Sequence, residues 1–329
     1  MKPTVRTIAK ELKLSTATVS KALSGKAEIS KQTRDRVIAC AKEIGYFKKT
    51  SLYGRLGVLA VNPSEIEDTG ILFHTLMGFQ KYAQALESDS VIINVNLEDM
   101  KRQTLDEVII KNRLDGLFVA GLKTTDPYYL QLETATSPIV VMDIICYNPM
   151  VGTVGTNSIA GGNLAISHLY SLGHRRIGFI NGHKEAYISQ ERLAGYVAGL
   201  NRHNIAFCDE LCYNGDFSLE SGSRAAQYFL DKKITAIYAA SDTMASGALQ
   251  YFSGAGLKIP QDTSVIGFDD QPICLGTAPH LTTIAQNPTA LGEAACALLR
   301  LLPGLSPIKH VRINPTLVIR GSTGGVKGG

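Results

Sequence analysis

Apolar residues in the first 46 positions recur at three- and four-residue spacing, the period of short amphipathic helices. Ile8, Ala9 and Leu12 form one stripe, the Lys13–Leu14 step breaks it, and Val19 and Leu23 form a second. Ser15 is placed to cap the second helix, because its hydroxyl can accept from an unpaired N–H of the first turn. A third stripe, Val37, Ile38, Ala41 and Ile44, lies between a capping Ser30 and a terminating Gly45. Two short helices crossing at a tight break and braced by a third predict an all-α helix-turn-helix domain over 1–46. Its second helix turns Thr16, Ala17, Ser20, Lys21 and Ser24 outward.

From residue 56 the pattern changes to short apolar runs: LGVLAV (56–61), VIINV (91–95), GLFVA (116–120), IVVMD (139–143), RIGFIN (176–181), AIYAA (236–240) and SVIGFD (264–269). Helix-length amphipathic segments alternate with them, at 72–87, 158–172, 189–204, 219–231 and 243–256. This alternation predicts βαβ units, hence an α/β core of parallel sheets covered on both faces. The strands are too many for one small sheet, which predicts two lobes over 56–320. Ligands sit beyond the carboxyl ends of such strands, where Asp143, Ser241–Asp242 and Asp269–Asp270 all fall. Residues 47–55 are read as a short linker. The Gly-rich end, 321–329, has no apolar periodicity and is expected to be a flexible tail.

Charge divides the chain the same way. Residues 1–55 hold 13 Lys/Arg against 4 Asp/Glu, and the remainder holds 20 against 25. A basic head on an acidic body suits a polyanionic partner for the head alone, with double-stranded DNA the natural fit to the helix-turn-helix. The composition, 45% apolar and 19% charged, is ordinary for a globular protein. No apolar stretch approaches the ~20 residues of a membrane helix, and MKPTVRTIAKELK has no signal-peptide core. Six scattered cysteines read as reduced thiols, so the expected location is cytoplasmic with no membrane contact. Dinucleotide, phosphate-loop and nucleophile-elbow motifs are missing, so no catalytic residue, cofactor or metal is assigned. His168 and His174, in HLYSLGH, lack companion ligands and read as structural. A carboxylate pair at Asp269–Asp270 points its side chains to opposite sides, one to a ligand and one to a local cap or pair.

The chain resembles the lac repressor/galactose repressor family, in TVRTIAKELKLSTATVSKALSGKAEISKQTRDRVIACAKEIGY and in NSIAGGNLAISHLYSLGHRRIGFING. The resemblance continues through SQERLAGY, GDFS, AASDTMASGALQYFSGAGLKIPQDTSVIGFDD and PHLTTIAQNPTALG. It implies an operator-binding head and a core like a periplasmic sugar-binding protein. It further implies a transcriptional repressor, a homodimer or tetramer, whose DNA affinity a small carbohydrate or sugar-phosphate effector controls by allostery. Without a leucine-heptad segment after the core, a dimer is favoured. The alternative is a sugar-binding protein with no regulatory role, which would carry an export signal in place of the basic head.

Carried over by the resemblance, Thr16, Ala17 and Lys21 read bases, while Thr4, Ser15, Thr18, Ser20 and Thr33 meet phosphates, with Ser24 on the same surface. Each hydroxyl has an equally ordinary reading as a cap or turn. The effector positions carry over to Asp143, Arg192, Phe217, Ser241 and Asp269: acceptors for hydroxyls, a planar cation, and a flat face for a sugar ring. Ser241 stands where relatives often have Asn, and Ile71–Leu72 replaces an aromatic pair found in some. The linker FKKTSLYGR lacks the hinge helix whose inserted Leu wedges the minor groove in relatives; Leu52 is its one aliphatic residue.

Overall fold

The computed structural model describes residues 4–23, 28–44, 46, 54–61, 69–302 and 309–326. The expected linker segment 47–53, with Leu52, and Ser24 on the head lie outside them.

The head comprises α1 (Val5–Leu12), α2 (Thr16–Leu23) and α3 (Lys31–Glu43). Thr4 and Thr7 open α1 by exchanging bonds: Thr7 N–H donates to Thr4 Oγ1 at 3.3 Å, and Thr4 N–H donates to Thr7 Oγ1 at 3.1 Å. Lys13 ends α1 in the left-handed region (φ 54°), and Leu14 N–H returns to Ala9 O at 2.9 Å. That reversal is the tight break. Ser15 then caps α2, accepting from Thr18 N–H at 3.0 Å. Ile8, Val19, Val37 and Ala41 are fully enclosed between the three helices.

The first lobe is built from β1 (Arg55–Val61), α4 (Thr69–Ala85), β2 (Asp89–Val95), α5 (Leu97–Arg102), α6 (Leu105–Asn112), β3 (Gly116–Ala120), α7 (Pro127–Leu132), β4 (Ile139–Met142) and β5 (Val151–Thr156). The chain crosses to α8 (Ser158–Ser171), β6 (Ile177–Asn181), α9 (Tyr187–Arg202), β7 (Cys212–Asn214), α10 (Leu219–Phe229), β8 (Ala236–Ala239), α11 (Asp242–Gly254), β9 (Ser264–Asp269), α12 (Ile273–Gly276) and β10 (Thr282–Ala285). It returns for α13 (Pro288–Leu301) and β11 (His310–Ile313), then crosses once more to β12 (Thr316–Val318). The sheet orders are β11-β5-β4-β3-β1-β2 and β12-β10-β9-β8-β6-β7, every pairing parallel except β10 with β12. Three strands therefore bridge the lobes, at 156–158, 285–288 and 313–316, and form a hinge.

The two-lobed α/β architecture follows the alternating pattern, with β1 starting at Arg55, one residue inside the expected linker. The tail expectation is overturned through Val326. Ser322 is fully buried; its carbonyl accepts from Val265 N–H at 2.8 Å, and its Oγ accepts from Thr282 N–H at 2.8 Å. Val326 N–H reaches Leu172 O at 3.1 Å. The small residues of GSTGG let the backbone itself lie against the sheet, a mode of order that leaves no apolar periodicity. His168 and His174 take part: His168 Nε2 meets Thr323 Oγ1 at 2.9 Å and His174 Nε2 meets Gly324 O at 3.0 Å. Burial lowers both imidazoles below their ordinary range.

Candidate effector cleft and DNA-binding surface

The two parallel sheets aim their carboxyl ends at one another across the hinge, and a cleft of about 530 Å³ lies between them. Met142 ends β4 and Asp143–Ile144 follow it, Gly121–Lys123 follows β3, His183 follows β6, Ser241 follows β8, Asp269 ends β9 with Gln271 beyond it, and Gln286 follows β10. Ile71 and Leu72, from α4, line it too.

Arg192, in the second turn of α9, is buried and donates to Asp269 Oδ1 at 3.0 Å and to the Ala240 carbonyl. Its guanidinium lies 4.2 Å from the centre of the Phe268 ring, an apolar surface that suits a planar, weakly hydrated cation. Asp269 also accepts from Gln286 Nε2 at 2.6 Å and from Gln271 Nε2 at 3.4 Å. Left-handed turns at Asp269 (φ 121°) and Asp270 (φ 61°) send the two carboxylates apart. Asp270 leaves the cleft and pairs with Arg320 at 2.6 Å.

Asp143 follows β4 at φ 62° on the opposite wall. Its Oδ1 has no hydrogen-bond partner among the described residues, and burial pushes its carboxyl up to about 6 against the pull of Arg192 and Arg312. Phe217 (φ 69°) packs its ring against Gly182, where any Cβ would strike it, and it meets His183 edge-on at 6.2 Å. Ser241 lines the cleft, yet its Oγ caps α11 by accepting from Met244 N–H at 3.2 Å. Beneath it, the fully buried Asp242 accepts from Gln271 N–H at 2.8 Å and Thr283 Oγ1 at 2.5 Å, pinning the loop after β9. Burial, then the charge of Asp269, push the Asp242 carboxyl well above its ordinary range.

Asp143, Arg192, Phe217, Ser241 and Asp269 thus converge on one cleft. Sequence reasoning missed Gln286 and Gln271, which brace Asp269, and His183, Tyr187 and Lys123, which line the walls. Gln286 could have been found from its place just after a Thr-rich apolar run, the end of a strand. Tyr187 and Lys123 lie in loops or helix starts with no pattern to mark them.

On the head, Thr16, Ala17, Ser20 and Lys21 are exposed along α2, and Lys21 pairs with Glu28. Thr4 and Ser15 serve as caps, and Thr18 Oγ1 lies 2.8 Å from Ser15 Oγ. Thr33 Oγ1, in the first turn of α3, lies 2.9 Å from the capping Ser30 Oγ.

Residues 4–48 match the model of the bacterial regulatory proteins of the lacI family, and residues 166–323 match that of the periplasmic binding protein-like domain. The HTH-type transcriptional repressor CytR of Escherichia coli K12 is 32% identical over 330 residues, covering 97% of this chain and 96% of the relative. The chain belongs to the LacI family. The transcriptional regulator MalR of Streptomyces coelicolor is likewise 32% identical, over 98% of this chain and 96% of its own. Among solved structures, a complex of the transcriptional regulator CelR with cellobiose superposes with a TM-score of 0.73 at 26% identity, over 98% of this chain and 100% of that one. A lac repressor dimer bound to operator and an anti-inducer shares the fold at a TM-score of 0.71 and 24% identity, over 98% and 100% of the chains. This LacI-family protein is accordingly a transcriptional regulator, with a helix-turn-helix DNA-binding head joined to a two-lobed binding core.

Proposed function

We propose that this regulator represses transcription by binding a two-fold operator as a homodimer, and that a small carbohydrate or sugar phosphate in the cleft controls its affinity. What supports the effector reading is one arrangement. A buried Arg192–Asp269 pair faces the wall of Asp143 across a cleft that also holds the flat Phe217 ring. Hydroxyl donors satisfy carboxylates, the guanidinium supplies donors to ring oxygens or phosphate, and an aromatic face accepts the C–H side of a sugar. On the head, Thr16, Ala17 and Lys21 would read bases, Ala17 through a thymine methyl and Lys21 through guanine acceptors. Thr4, Ser15, Thr18, Ser20 and Thr33 would meet phosphates. For the second copy, α4 presents Phe73 and Met77, 56% and 45% exposed, and the edge strand β2 presents Ile92. No described helix is long and apolar enough to cross a membrane, and a DNA-binding regulator works beside the chromosome, in the cytoplasm.

The test is a thermal-shift screen of neutral sugars, nucleosides, sugar phosphates and carboxylic acids against the full chain. A ligand that binds only the native state raises the melting temperature with concentration. Stabilisation by a sugar or sugar phosphate, with parallel loss or gain of operator binding, supports the reading. Stabilisation by another class alone overturns the assignment of effector chemistry.

A further inference from the structure

Behind the cleft lies a charge cluster that the effector reading does not use. Arg312, on β11 of the first lobe, donates from Nη2 to Glu191 Oε1 at 2.7 Å, and Glu191 stands on α9 of the second lobe. Their side chains are only 23% and 15% exposed. Asp143 approaches the same guanidinium from the first lobe: a Cβ on Gly155 of β5 would collide with both Arg312 Nη1 and Asp143 Oδ1. Glycine at 155 leaves the space that these two atoms share. Arg312 Nη1, Asp143 Oδ1 and Glu191 Oε2 are all buried without a hydrogen-bond partner among the described residues. Arg192, the other nearby cation, is already bound to Asp269 and Ala240 O. One guanidinium therefore stands between two carboxylates on different lobes. It sits next to the hinge, since β11 runs through Asn314 into β12, and Asn157 Nδ2 donates to Asn314 Oδ1 at 3.0 Å.

We propose that Arg312 is a two-position latch between the lobes, paired with Glu191 in the arrangement seen here and transferring to Asp143 when the lobes part. A buried guanidinium with two carboxylates in reach has two discrete pairings, and lobe rotation about the hinge changes which is shorter. The link to the effector rests on the reading of Asp143 as an effector contact: a ligand donor that satisfies Asp143 leaves Arg312 to Glu191 and so holds this lobe arrangement. Glu191 and Arg312 are then positioning residues, acting on the lobe angle through Asp143 rather than by touching the ligand.

Protonation reports on the latch. Glu191 faces Arg312 from β11, Asp143 from the end of β4, and Arg192 and Tyr187 from its own helix. Burial pushes the Glu191 carboxyl up to about 7 against the pull of both arginines. Separation of the lobes would hydrate it and return it toward the ordinary carboxylate range. The paired arrangement thus binds this proton more tightly, and falling pH from about 7 downward favours it.

The experiment uses the full chain without effector or DNA. Spin labels on non-natural residues at Leu130 and Leu230, both exposed and on different lobes, report the inter-lobe distance, with each labelled chain diluted in unlabelled protein. In wild type the population matching the present arrangement grows as pH falls from 8 to 5.5. Glu191→Gln, which cannot titrate, gives a distribution unchanged from pH 8 to about 6.5, leaving only the response of Asp143 near 6. Arg312→Lys, a shorter point charge, shifts the wild-type balance toward the parted arrangement, and it answers the question even if Glu191→Gln does not fold by circular dichroism. An unchanged wild-type distribution across this range, a wild-type response above about pH 6.5 retained in Glu191→Gln, or no shift in Arg312→Lys overturns the latch. Because no ligand is present, these outcomes leave the effector assignment standing, and failure of the sugar screen does not alter them.

Discussion

Replacing Arg192 with alanine tests whether the cleft's central ion pair is part of the lobe's stability as well as its chemistry. Both partners are 6% exposed, so water does not replace the lost guanidinium readily. Asp269 would keep two amide donors, Gln286 Nε2 at 2.6 Å and Gln271 Nε2 at 3.4 Å, and lose the guanidinium. Removing one partner of a buried pair costs about 3–5 kcal/mol because the other charge is stranded. The two glutamine bonds hold the value near the lower end, about 3 kcal/mol. For a core of this size that corresponds to a fall in Tm of roughly 6–12 °C. The stranded charge makes a further demand: Arg192→Ala with Asp269→Asn must be more stable than Arg192→Ala alone, by at least about 1 kcal/mol. The chain has 13 Tyr and no Trp, so urea unfolding is followed by tyrosine emission and far-ultraviolet circular dichroism. Effector response should vanish in the single variant, with operator binding near wild type at temperatures where the core is folded. A loss below about 1 kcal/mol, or a double variant no more stable than the single, would mean that Asp269 carries no stranded charge.

Three further outcomes are expected. Lys21→Ala should lose base preference at about 1–3 kcal/mol per specific contact while keeping salt-dependent affinity for any DNA, measured by anisotropy on matched and scrambled duplexes. Burial holds the Asp143 carboxyl at about 6, so it is partly protonated at pH 6 in the free protein, whereas a hydroxyl donor needs the charged form. In Glu191→Gln, where the Glu191 proton no longer contributes, effector affinity should therefore fall as pH drops through 6, and calorimetry at pH 6 in two buffers should show proton release on binding. Truncation after Arg320 removes the partners of Thr282 N–H and Val265 N–H, and should cost at least about 2 kcal/mol in urea unfolding.

What the chain pattern revealed and what it hid both have physical causes. Strands such as LGVLAV and GLFVA are buried on both faces and read as unbroken apolar runs. By contrast β5, VGTVGT, is equally buried but filled with Gly and Thr, because Arg312 and Asp143 crowd its Gly155 and Leu298 crowds its Gly152. Edge strands β11 and β12 are only partly buried and carry charge or polarity, so no run marks them. In the cleft, the effector positions were carried over from the family resemblance, with strand-end placement marking Asp143, Ser241 and Asp269. Gln286 and Glu191 act through partners 17 and 121 residues away, a pairing that no local spacing encodes. The tail misled because backbone groups and small hydroxyl side chains, rather than apolar ones, hold it down.

The most direct test of the account is selection of bound sequences from a random duplex pool by the full chain, repeated with a stabilising ligand from the screen. The account predicts recovery of a two-fold symmetric sequence whose half-sites are read by α2, with binding to it changed by the ligand. Recovery of no sequence above the random pool, at any salt and with or without ligand, would contradict it.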